Sequence, residues 1–302
     1  MKYLNPKADL TFKRVFGEHP DLVMSLLNAL LPLKNGEEIT EIEYLTSEMV
    51  PENPLRKYSI VDVRCKDKKG RQFLVEMQML WSPEFYQRVL FNASKAYVRQ
   101  LDKGETYELL QPIYSLNLVN DIFEPELEGY YHHYELVHVE HSDKVIDGLQ
   151  LIFVELPKFT PHNYAEKKMQ VLWLRYLTEI NENTRKVPEE LLSNPEISKA
   201  LNELEESAFT EEQLAGYEHF WDGISVEKTI YNSAIRKGLA EGKAEGLAEG
   251  LAEGKAEGLA EGEAKGKAES LLFVAANLKK KGIDLASIME CTGLDEKTVN
   301  AL

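Results

Sequence analysis

An α/β fold with an α-helical C-terminal extension is predicted by three observations. Apolar residues recur at helical spacing, then in β-branched runs, then at helical spacing again, in the order helix, three strands, helix, strand. Two of the runs flank a glycine-containing turn and read as a β-hairpin. At Gly238 the composition changes abruptly into a four-residue repeat. The 302 residues are enough for one sizeable core with appendages.

Asp9 to Leu31 reads as a helix, with Leu10, Val15, Phe16, Val23, Leu26, Leu27 and Leu30 as its apolar positions, broken in two at His19-Pro20. Ile39 to Met49 is strand-like. The hairpin follows, Ser59 to Cys65 and Phe73 to Met79, with Lys68-Lys69-Gly70 as a three-residue loop placing glycine at the left-handed position. Ser82-Pro83-Glu84 starts a helix with serine as N-cap and proline in the first turn, running through Tyr86, Val89, Leu90, Ala93 and Tyr97 to Gly104. Pro112 to Val119 is apolar almost throughout, which predicts a strand buried on both faces. Tyr130 to Val139 and Leu149 to Leu156 extend the sheet, and Tyr164 to Ile180 is a further helix.

The hairpin carries the chemistry. In its register Asp62 faces Glu76, and Gln78 shares the face of Glu76. Like charges directly opposite one another are destabilising, so the simplest account is a shared divalent cation; the alternative is a solvated face bearing ordinary surface acids.

Asp62, thirteen intervening residues, then Glu76-Met77-Gln78 resembles the core signature of the PD-(D/E)xK nuclease superfamily in an E-x-Q variant. Asp9 to Phe16, Tyr86 to Leu90 with Lys95 to Tyr97, and Glu155 to Phe159 resemble one branch, the Rpn-type recombination-promoting nucleases or transposases, over about residues 1 to 235. Val61 stands where proline often precedes the acid, and Gln78 replaces the usual lysine. The resemblance implies a restriction-endonuclease-like core, α-β-β-β-α-β with a mixed sheet. It also implies an Mg²⁺-dependent endodeoxyribonuclease of little sequence specificity, linked to recombination. Asp62, Glu76 and the carbonyl of Met77 would hold the metal, Asp9 would complete the acidic cluster, and Gln78 would position water or the scissile phosphate. Arg88, Lys95 or Lys13 would supply the charge that glutamine cannot.

Charge patterning is compatible with DNA as partner. The net charge is −16, yet residues 1–105 hold 16 basic against 15 acidic residues, so the acidity lies in the remainder. Arg64, Lys66, Lys68, Lys69 and Arg71 make the hairpin loop basic beside the expected site, and Arg64, Lys68, Lys69 and Arg71 are candidate DNA contacts with Lys13, Arg88 and Lys95. Two cysteines, Cys65 and Cys291, imply no disulfide framework, and no apolar run suits a signal peptide or a membrane span. A soluble, cytoplasmic protein without a membrane partner is expected. His132, His133, His138 and His141 lack metal-site spacing and read as structural or surface residues, as Glu155 to Phe159 reads as packing.

The expected division is a nuclease-like domain at 1–182, an acidic helical segment at 183–237, the repeat at 238–269 and a small helical tail at 270–302. The repeat, Gly-Leu/Lys-Ala-Glu, places eight glycines from 238 to 266, which disfavour an isolated helix by about 7 kcal/mol relative to alanine. It is either a flexible spacer or a self-associating helix, and its Ala, Leu, Glu and Lys favour the helix. The tail has helix-turn-helix spacing, with Gly293 at the turn and Ile288, Val299 and Leu302 as core. Its second helix offers Asp295, Glu296, Lys297, Thr298 and Asn300, a poor set for reading bases, so a small protein-interaction or dimerisation cap is expected. A homo-oligomer formed through repeat and tail follows. The alternative to an enzyme is a catalytically degenerate nuclease-fold scaffold that oligomerises through these helices.

Overall fold

A computed structural model describes residues 2–49, 59–161 and 168–302. Contacts divide the chain into two units, Met1–Lys228 and Thr229–Leu302. The first is built on a six-stranded mixed sheet. In chain order its elements begin with α1 (Asp9–Phe12), a π-helical turn Lys13–Gly17, α2 (Pro20–Leu30), β1 (Ile42–Tyr44), β2 (Glu48–Met49), β3 (Ser59–Ile60), β4 (Val63–Asp67) and β5 (Gln72–Gln78). They continue with α3 (Glu84–Val98), β6 (Ile113–Val119), β7 (Tyr131–His138), β8 (His141–Glu155) and α4 (Lys168–Glu179). The sheet order is β1-β4-β5-β6-β8-β7, while β2 and β3 pair separately. β5, β6 and β8 run parallel at the centre, and β4 and β7 flank them antiparallel.

Two apolar faces make a three-layer stack. Val63, Cys65, Phe73, Val75, Leu116, Leu118, Ile152 and Val154 meet Phe12 and Phe16, the apolar stripe of α2 and the buried side of α4 around Trp173. On the opposite face Leu74, Ile113 and Leu151 meet Ala93 and Ala96 of α3, and Val119 and Phe153 meet Phe85 and Val89. All seven residues of β6 are buried, as its continuous apolar sequence predicts.

Several boundaries differ from expectation for local reasons. The strand expected over Ile39–Met49 is split into β1 and β2, each pairing with a different partner. Ser82 is not a side-chain N-cap; α3 begins at Glu84 after Pro83 and stops at Val98 rather than Gly104. β8 begins eight residues before Leu149, because β7 and β8 continue as a two-stranded ribbon beyond the core. The start expected for α4, at Tyr164, lies outside the described residues.

The boundary expected between 182 and 183 lies inside the first unit. Val187, Leu191, Ile197, Ala200, Leu201 and Leu204 belong to its main core, carried by α5 (Glu189–Leu192), α6 (Pro195–Asn202) and adjoining turns. α7 (Glu211–Lys280) starts by packing Leu214, Tyr217, Phe220 and Trp221 near Leu4, Ala8 and Phe209. It includes the whole glycine repeat, which is helical. In the second unit Ala275 packs with Ile288 of α8 (Leu285–Thr292) and Val299 of α9 (Glu296–Ala301). Gly293 closes α8 at φ +68°, a conformation that favours glycine. Leu302 is exposed and not part of this core, correcting the expectation, because it lies just past the last residue of α9. Among the described residues no helix is long and apolar enough to cross a membrane.

Leu116 is fully buried midway along β6. Leu116→Ala should lower the unfolding free energy by about 2–5 kcal/mol, read by urea denaturation with tryptophan fluorescence.

Candidate active site

The register Val63↔Val75 and Arg64↔Leu74, carried one step further, sets Asp62 opposite Glu76. Asp62 itself lies in a bend just before β4, which frees its side chain to cap the edge of β5. Its Oδ2 accepts the Met77 backbone N–H at 2.7 Å. In a strand the N–H and C=O of one residue point to the same side, so the Met77 carbonyl also faces Asp62.

Glu76 is buried on the α3 side of the sheet. Asn92 Nδ2 donates to its Oε1 at 3.1 Å and Arg88 Nη2 to its Oε2 at 3.3 Å. These donors stand one helical turn apart on α3 and therefore share a face. Arg88 Nη2 also donates to Gln78 Oε1 at 2.6 Å, while Gln78 Nε2 donates to the Leu80 carbonyl at 2.6 Å. Both ends of the glutamine amide are thus engaged, and its position fixes the guanidinium over Glu76. Arg88 is held from below by the Phe85 ring, 4.6 Å from centroid to Cζ.

The electrostatics follow from crowding acids in a poorly solvated place. Burial pushes the Asp62 carboxyl up to about 6; the Met77 N–H and Lys13 oppose the rise, and Glu76 and Asp9 add to it. Burial also raises Glu76, against the pull of Arg88 and Asn92. Asp9 is close enough to be felt by Asp62, but its own carboxylate pairs with Lys13 Nζ at 2.7 Å. Among the described residues no three His, Cys, Asp or Glu side chains are gathered for a metal. The set at the β5 edge is Asp62, Glu76 and the Met77 carbonyl, oxygen donors throughout, with two acids whose ionisation a cation would favour. That chemistry suits a hard divalent ion such as Mg²⁺.

The basic residues expected beside the acids separate into two groups. The loop Lys68-Lys69-Gly70 closes the far end of the β4–β5 hairpin, about 20 Å along the strand from Asp62. There Arg71 is buried against Asp67 at 2.7 Å and donates to the Glu37 carbonyl, and Lys68 pairs with Glu41. Lys69 lies in the same loop, held through its backbone N–H by Asp67. The expectation that this loop sits beside the site is corrected; its side chains fasten the hairpin to the segment before β1.

Arg64 instead faces the α3 side, donating to Gln72 Oε1 at 3.0 Å. Burial, and then Arg99, lowers the pKa of both Arg64 and Lys95, so these three cations cluster near the end of α3. Lys95 Nζ donates to Met49 O at 2.5 Å and lies 3.3 Å from Ser59 Oγ, two helical turns from Arg88. Arg99 and Asn92 are absent from the sequence expectation. Their i, i+4, i+7, i+11 spacing with Arg88 and Lys95 is the signal that could have found them.

Two further expectations concern the motifs outside the hairpin. Glu155 is wholly buried and saturated: Phe123 N–H at 2.6 Å and Glu124 N–H at 3.1 Å reach Oε1, while His132 at 2.9 Å and Lys158 at 2.6 Å reach Oε2. Burial would raise its pKa, but these partners outweigh it and hold the carboxyl below its usual range. His132 therefore has a structural partner, and His133 bonds Gln150.

Paired acids and a fixed cation at the end of the central parallel strands, on a sheet covered by helices on both faces, define a nuclease-type α/β core. A family model, the PD-(D/E)XK nuclease family transposase, matches residues 6–222, and the chain belongs to that family. Membership supports a nuclease function and implies DNA as substrate. No curated protein and no solved structure matches the chain.

The raised Asp62 carboxyl sets a pH dependence. Its proton is bound more tightly in the folded chain than in the unfolded one, so ionised Asp62 weakens the fold above about pH 6 and the penalty fades as pH falls from there toward its ordinary value. Asp62→Asn should therefore stabilise the metal-free protein by about 3 kcal/mol at pH 8, with most of the gain gone by pH 4. Chemical denaturation at both pH values measures it.

Proposed function

We propose that the protein is a divalent-metal-dependent DNA endonuclease with little sequence specificity, acting in DNA breakage linked to recombination. The observation that carries this reading is the pair Asp62 and Glu76, two acids of raised proton affinity placed together at the β5 edge beneath Arg88. Asp62, Glu76 and the Met77 carbonyl are the proposed ligands of Mg²⁺, with Asp9 adding negative charge at longer range. When bound, the ion supplies an activated water and neutralises charge developing on the phosphate.

The chain's own residues have separate parts. Asn92 holds Glu76 in one orientation. Gln78 positions Arg88, and the guanidinium stabilises the phosphoryl oxygens in the role that a lysine at position 78 would have filled. Lys13 steadies Asp9, and Arg64, Lys95 and Arg99 offer positive charge to the DNA backbone. Lack of sequence specificity is supported by a site built for phosphate rather than for groove edges. Soluble, cytoplasmic action is part of the same reading.

We also propose that copies associate through α7 and the tail. The support is a surface open along the whole repeat: a Cβ on any of its eight glycines meets nothing within 4 Å, and Leu239, Leu247, Leu251 and Leu259 are exposed. Sedimentation should show an oligomer for the full chain and a monomer after removal of residues 229–302; a full-length monomer rejects this.

Incubation with supercoiled plasmid at low salt tests the enzyme. Nicking should require Mg²⁺, vanish in EDTA and fall to background in Asp62→Ala, whereas Arg88→Ala should reduce kcat by about 10²–10³-fold. Absence of cleavage, or equal cleavage by Asp62→Ala, would favour the degenerate scaffold. Adding Mg²⁺ at pH 8 should raise the Tm of the wild type and leave that of Asp62→Ala unchanged.

A further inference from the structure

A groove of about 570 Å³ opens beside the acids, between β3 and α3. Arg88 and Asn92, which hold Glu76, also line it, together with Ile60, Gln87 and Phe91. Its volume falls in the range of small-molecule sites, about 300–1,000 Å³. Two of its lining residues are large and unusually open for apolar side chains: Ile60 is 52% and Phe91 43% exposed. Lys95 Nζ lies 5.6 Å from the centre of the Phe91 ring.

Asn92 joins the groove to the acid pair. The side chain is 1% exposed, and its Nδ2 is committed to the Glu76 carboxylate, which fixes the orientation of the amide. Its Oδ1 is buried and has no hydrogen-bond partner among the described residues.

An apolar wall and a guanidinium in one groove match two parts of a nucleotide, base face and phosphate. We propose that this groove is a subsite for one unpaired nucleotide flanking the scissile phosphate, an inference that rests on the nuclease reading. The base lies against Phe91 and Ile60, and Arg88 meets the phosphate. In a duplex both faces of each base are covered by neighbours, and the groove admits a base only when it leaves the stack. Unpaired DNA is therefore the preferred substrate.

Binding separates this inference from the chemistry. Asp62→Asn full-length protein, used as a non-cutting form, is titrated with a labelled single strand and with the same sequence as a blunt duplex, read by fluorescence anisotropy with Mg²⁺. The single strand should bind at least tenfold more tightly, Phe91→Ala in that background should erase about tenfold for the single strand alone, and Phe91→Tyr should restore it. Equal affinity for the two forms, an equal effect of Phe91→Ala on both, or no binding of either overturns the subsite. If the preference stands but wild-type protein shows no Asp62-dependent cleavage, the nuclease reading fails and the base-binding groove remains. If cleavage depends on Asp62 while the two DNA forms bind alike, only the subsite fails.

Discussion

Placing Asp62 and Glu76 side by side at the edge of a buried sheet is the constraint to which the surrounding structure answers. Two carboxylates in that position repel each other and lose hydration, which would unravel an ordinary strand end. The fold meets this with fixed donors: a backbone N–H for Asp62, and an amide and a guanidinium for Glu76. These donors come from β5 itself and from α3, so the packing of α3 through Phe85, Val89, Ala93 and Ala96 is also what aims Arg88 and Asn92. Acid pair, helix and sheet are one arrangement. Loosening the α3 contacts would misdirect the cation before it opened the core.

The glutamine at position 78 is instructive in this setting. An amide cannot replace the charge of a lysine, but it can tell a cation where to stand. Its oxygen receives Arg88 and its nitrogen is tied to Leu80, so a residue that looks like a deficiency in the strand becomes the bracket for a guanidinium delivered by the next helix. Both ends of the Gln78 amide are engaged, and the guanidinium it holds comes from ten residues away.

Much of this was legible in the chain. The order of elements follows from apolar periodicity, and the Asp62–Glu76 facing follows from counting across the Gly70 turn, where φ is +82° as a three-residue loop requires. What could not be read was where long basic side chains go. Arg71 and Lys68 sit close to Asp62 in sequence, yet a strand carries them away along its length, and each finds a local acid at the loop end. Arg99 and Asn92 are distant in sequence and reach the face of the site through helical period. The bend that releases Asp62 from the ladder, and the extension of β7 and β8 past the core, depend on pairing geometry that periodicity does not encode. Leu302 was placed in the tail core by its apolarity alone, and its position past α9 leaves it outside.

Glu155 and Glu76 are both buried glutamates near the ends of parallel strands in one sheet, and their surroundings drive their proton affinities in opposite directions. The four donors around Glu155 leave its oxygens no capacity for a further ligand. The sheet therefore holds one buried glutamate whose proton affinity is raised and one whose oxygens are already fully engaged. Which buried carboxylate in this sheet has room for a further partner is set as much by the glutamate already saturated as by the pair left open.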